Sequence, residues 1–186
     1  MTRKERRGWA LAALAVAIAL FFLTRSAGAV EADFMPKGGR TLLLQTVGTP
    51  GDLAQLQATV KAKRTEAEWT TQLASGKGLS DRERATLAAY LAGNMPLAAD
   101  IAARPDVAKF LPADGRDLAW NECQSCHSLF TSYLTQSRDF QGWRNIFLSP
   151  FHRQMAFSDQ QRDEFARYAA QNMPMKVEDV PQELRY

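Results

Sequence analysis

Apolar residues recur along this chain at helical spacing. Phe165, Tyr168 and Ala169 share one face of a stretch that begins at Ser158, and Leu87, Tyr90 and Leu91 do the same in a stretch that begins at Ser80. Each opens on a capping box, with Gln161 three residues after Ser158 and Glu83 three after Ser80. Each should end near an asparagine, Asn172 or Asn94, ahead of Met173-Pro174 or Met95-Pro96, because proline disfavours helical geometry in the residue before it. Further helices are predicted over 52–62, over 65–73, from Asp114 through Leu118 and Trp120 towards Cys123, and over 139–147. Pro105 and Pro112 mark residues 98–113 as a connector. No segment offers the sustained two-residue alternation of a strand, so the fold class is all-α.

The two best-defined helical stretches are related. Residues 79–97 and 157–175 align without a gap and are identical at nine of nineteen positions. Upstream, Trp69 pairs with Trp143, and Gly39-Arg40-Thr41-Leu42 pairs with Gly115-Arg116-Asp117-Leu118, in the same order. Similar caps make any two amphipathic helices look alike. The pairs Tyr90/Tyr168 and Asn94-Met95-Pro96/Asn172-Met173-Pro174 go beyond capping chemistry and point to a duplication. The organisation expected is a first unit over 30–97, the connector, and a second unit over 114–186. Trp69 and Trp143, present in both units, read as packing residues rather than as groups tuned to a ligand.

The chain starts differently. A basic stretch, Arg3-Lys4-Glu5-Arg6-Arg7, precedes fifteen apolar residues from Trp9 to Leu23, followed by small residues up to Ala29. This is the layout of a secretory signal peptide over 1–29. The run is shorter than the roughly 17–25 residues of a membrane-spanning helix, so cleavage is favoured over a retained anchor. Either way the bulk of the chain is expected in the periplasm, with membrane association only if the segment is retained. The segment also carries a net charge of +4, against +3 for the whole chain, leaving about −1 for the remainder. Without a basic folded surface, nucleic acid is not an expected partner.

Chemistry concentrates in Cys123-Gln124-Ser125-Cys126-His127, which holds both cysteines of the chain and one of its two histidines. Cys-x-x-Cys-His is the spacing of covalent haem c attachment, with two thioether sites and a proximal histidine. A dithiol redox pair needs no adjacent histidine and is expected beside a βαβ unit, which is absent from the pattern. A zinc site needs four ligands, and His127 with distant His152 does not fit a finger spacing. At the corresponding place the first unit has Val47-Gly48-Thr49-Pro50-Gly51, and residues 1–122 contain no cysteine or histidine, so one haem per chain is expected. Candidates for the distal iron position are Met155, His152, Met173 and Met175. Met173 matches Met95 in the haem-free unit and so reads as packing, whereas Met155 matches Lys77 and occurs only in the haem unit. Met155 is therefore the favoured distal ligand and His152 the alternative, with Phe147, Phe151, Phe157 and Phe165 as pocket walls or plain core.

These residues resemble class I-type c-type cytochromes, over 114–175 by motif and over 39–97 by internal similarity alone. The second unit is similar to the short cytochrome domains that accompany periplasmic dehydrogenases. There a tryptophan-bearing helix follows the attachment motif, then a methionine loop and a helix opening in Ser/Asp. The resemblance implies a cytochrome c-like helical fold in two tandem units, with thioethers at Cys123 and Cys126, His127 proximal and Met155 distal. Met155 lies only three residues before Ser158 and lacks the Met-Pro often seen in the family. The function implied is single-electron transfer between redox partner proteins rather than an independent enzymatic activity. Two alternatives are a gas sensor or haem catalyst with an open distal site, and a haem relay subunit of a dehydrogenase complex.

Overall fold

Local capping chemistry accounts for most helix starts. In the computed structural model, which describes residues 33–47, 52–74, 78–124 and 126–185, the helices are α1 (Gly39–Val47), α2 (Leu53–Lys61), α3 (Glu66–Leu73), α4 (Asp81–Asn94), α5 (Ala99–Ala102), α6 (Gly115–Leu118), α7 (Phe140–Asn145) and α8 (Asp159–Asn172). Among the described residues there is no strand. The 1–29 segment and Lys77 lie outside them, as do residues 48–51 of the first unit's counterpart to the Cys-x-x-Cys-His motif. Among the described residues no helix is long and apolar enough to cross a membrane.

The predicted boxes form. Ser158 Oγ accepts from the Gln161 N–H at 3.2 Å while the Ser158 N–H donates to Gln161 Oε1 at 2.9 Å. Ser80 and Glu83 repeat the pattern at 3.2 and 2.9 Å, and Thr65 with Glu68 caps α3 in the same way. The connector carries α5 and a 3-10 turn over Val107–Phe110. The helix from Asp114 keeps α geometry for only one turn and then widens into a π turn over Ala119–Cys123.

Residues 35–186 make one unit centred on α4 and α8, which pack on each other. Helices α1 and α3 pack on α4, and α6 and α7 pack on α8. Leu42, Val60, Trp69, Leu87 and Leu91 are fully buried on one side, and Trp143, Phe147, Phe165 and Leu134 on the other. Each such side chain contributes roughly 1.5–3 kcal/mol from burial.

Matched positions make reciprocal contacts across the α4/α8 pair. The Tyr90 hydroxyl donates to the Pro112 carbonyl at 2.8 Å, and the Tyr168 hydroxyl donates to the Pro36 carbonyl at 2.7 Å. Pro112 and Pro36 each stand three residues before the paired glycines Gly115 and Gly39. Helix α1 crosses α4, and α6 crosses α8, so closely that a Cβ on Gly39 would lie 2.1 Å from Tyr90 Cβ, and one on Gly115 would lie 2.1 Å from Tyr168 Cβ. Asn94 Nδ2 donates to the Tyr90 carbonyl and to Glu164 Oε2, while Asn172 Nδ2 donates to the Tyr168 carbonyl and to Thr86 Oγ1.

One contact is shared instead of doubled. Asp114 is fully buried, and its Oδ1 accepts from the Asp117 N–H at 3.0 Å, capping its own helix α6. Its Oδ2 accepts from the Arg40 N–H at 2.9 Å and so caps α1 as well. The paired position is Gly38, where a Cβ would lie 2.1 Å from the Asp114 carboxyl group.

Candidate functional site

The π turn at the end of α6 delivers Cys123, and a second π turn over Leu129–Tyr133 follows His127. Single π turns within helices frequently mark functional positions. Cys123 is partly buried, Cys126 is exposed, and no disulfide joins them. Burial, reinforced by Glu122 and Cys126, pushes the Cys123 thiol up to about 12, which keeps it protonated.

Cys123, Cys126 and His127 line a cavity of about 930 Å³, within the roughly 300–1,000 Å³ range of ligand and cofactor pockets. His152 and Met155 line it too. Its apolar wall includes Leu129, Ile146, Phe147, Phe157 and Phe165. Of the four phenylalanines marked in the sequence, Phe147 and Phe165 are buried, whereas Phe151 lines the cavity yet is 86% exposed. Met173 and Met175 are buried elsewhere, and the Met175 N–H donates to the Leu134 carbonyl at 2.7 Å.

The imidazole of His127 stacks on Tyr133 with ring centres 4.5 Å apart, and its Nδ1 is buried without a hydrogen-bond partner. The His152 ring stands 5.8 Å from that of His127, edge to face. His152 begins a 3-10 turn that Arg162 of α8 pins down by donating to the carbonyls of Arg153 at 3.2 Å and Met155 at 3.4 Å. Tyr133, Ile146 and Ser149 are site residues that the sequence reading missed. Tyr133 carried a signal, since it follows His127 by six residues in an apolar segment.

The first half has a smaller cavity, of about 620 Å³, lined by Val47, Leu73, Leu79 and Leu87. Their matched positions in the second half are Cys123, Phe147, Phe157 and Phe165, all on the larger cavity. Gln45, Gln55, Thr59 and Gln72 supply neutral polar groups, and no cysteine, histidine or methionine is among its described lining residues.

Two thiols, a neighbouring imidazole and a large apolar wall suit a flat, mostly apolar iron macrocycle. A bare metal ion finds less, because among the described residues no group of three or more histidine, cysteine or carboxylate side chains could hold one. No protein-family model matches the chain, and neither a curated protein nor a solved structure is significantly similar to it. The functional reading therefore rests on the residues of the site.

Proposed function

We propose that this protein is an exported c-type cytochrome, built as two tandem cytochrome c-like units of which only the second binds haem, and that it carries single electrons between a redox enzyme and a downstream acceptor. The observation that carries this reading is the convergence of Cys123, Cys126, His127, His152 and Met155 on one largely apolar cavity. Cys123 and Cys126 would hold the haem through thioethers and His127 would take the proximal position. When bound, the haem supplies an iron that cycles between ferric and ferrous states.

The rest of the work falls to the chain. Phe147, Phe157 and Phe165 keep water from the cavity, and the turn over 152–155, pinned by Arg162, offers the distal ligand. Leu148 and Phe151, 64% and 86% exposed, give the 148–151 segment beside it an apolar surface that fits a small, transient contact with a redox partner. The reciprocal contacts about α4 and α8 support the two-unit reading, and the missing ligands in the first half support one haem per chain.

The test is to express the chain together with a periplasmic haem-attachment system and denature it. Haem that stays with the polypeptide, gives the alkaline pyridine spectrum of two thioether links, and reduces and reoxidises reversibly is the expected result. A polypeptide that releases all its haem, or never acquires any, would overturn the proposal.

A further inference from the structure

We infer that His152, rather than Met155, is the side chain that the fold holds ready for the iron opposite His127, with Ile146 and Ser149 as its positioning residues. This inference rests on the haem reading above. The His152 Nδ1 lies 3.1 Å from the Ile146 carbonyl oxygen and 3.0 Å from Ser149 Oγ. A carbonyl oxygen can only accept, so Nδ1 carries the ring proton and donates it. In the neutral ring Nε2 then keeps its lone pair, the form in which imidazole binds a metal. A hydrogen bond from the other ring nitrogen to a carbonyl or similar acceptor is what commonly fixes a ligating histidine. Ser149 Oγ also accepts from the His152 backbone N–H at 3.4 Å, tying backbone and ring to one hydroxyl.

His127 and His152 both line the cavity, with ring centres 5.8 Å apart. Met155 lines the same cavity, but the bonds made by its backbone, an N–H to the His152 carbonyl and a carbonyl accepting from Arg162, hold the turn without orienting its sulfur.

The experiment uses the exported full-length chain with covalent haem, as wild type, Met155→Leu, His152→Ala and Ser149→Ala. Ferric wild type should give the electron paramagnetic resonance and near-infrared circular dichroism signature of two imidazoles, with no far-red thioether band. Met155→Leu should keep that signature. His152→Ala should turn high-spin and bind carbon monoxide when reduced, and added imidazole should restore the low-spin spectrum. Ser149→Ala should keep the ligand but bind carbon monoxide about tenfold faster, as expected when a positioning hydrogen bond is lost. A thioether band in wild type that vanishes in Met155→Leu would overturn the assignment, as would a high-spin wild type. Both of those outcomes leave haem attached and the haem reading intact, whereas a chain without covalent haem overturns both.

Discussion

The two halves of this molecule place matched residues in the same contacts and then fill matched cavities with different chemistry. Around α4 and α8 the tyrosine–proline bonds, the asparagine bridges and the closely approached glycines are duplicated. At the two cavities the halves diverge, with Cys123, Phe147, Phe157 and Phe165 on one and Val47, Leu73, Leu79 and Leu87 on the other. Packing at the shared interface constrains both halves at once, so a change on one side strains the other. The two cavities share no lining residue, so the chemistry of one wall can change without changing the other.

The comparison can be broken most completely at the thiols. Cys123→Ala combined with Cys126→Ala should abolish covalently held haem, as read by haem staining of a denaturing gel, because the first half has no thiol to substitute. Next, Gly39→Ala and Gly115→Ala should each destabilise by about 3 kcal/mol or more in denaturant titration, since the new methyl group meets a tyrosine Cβ that the α4/α8 packing cannot release. Similar losses at the two positions would sharpen the equivalence, and a loss at only one would break it.

Glu164 should separate the halves by pH, because its counterpart is the neutral Thr86. Burial raises its carboxyl group to about 7, against the hydrogen bonds it accepts from Asn94 and from the Gly115 N–H, while Asp114 adds to the rise. The folded state then holds a proton that the unfolded state has released, so stability falls as pH rises from about 4.5 to about 7 and is flat above that. The fall should be on the order of 3 kcal/mol. Glu164→Gln should remove most of that slope in melting curves collected across this range. Smallest, Tyr90→Phe and Tyr168→Phe should each cost about 1 kcal/mol through one lost hydrogen bond. Equal shifts in denaturation midpoint are expected, and unequal ones would show that one half carries more of the joint.

Much of this was legible because it is written locally. The boxes at Ser80 and Ser158, the helix ends at Asn94 and Asn172, and the paired tryptophans follow from neighbouring residues in the chain, as does the Cys-x-x-Cys-His spacing. Trp69 and Trp143 are both buried with an unpartnered indole N–H, in keeping with the same packing role in each half. What the sequence hid are relations between distant residues. Nothing near Asp114 announces that it also caps a helix at Arg40, and nothing near Tyr168 announces Pro36 as its acceptor. The π turn at Ala119–Cys123 was hidden for another reason, since its apolar pattern differs little from that of an ordinary helix.

The shared cap has a consequence for symmetry. A symmetric pair of identical halves would carry either aspartate or glycine at both 38 and 114. Two aspartates would press two carboxylates into the space that one now fills, and two glycines would leave the first turns of α1 and α6 without this acceptor. The joint as built therefore depends on its two sides differing at this one pair, Gly38 against Asp114.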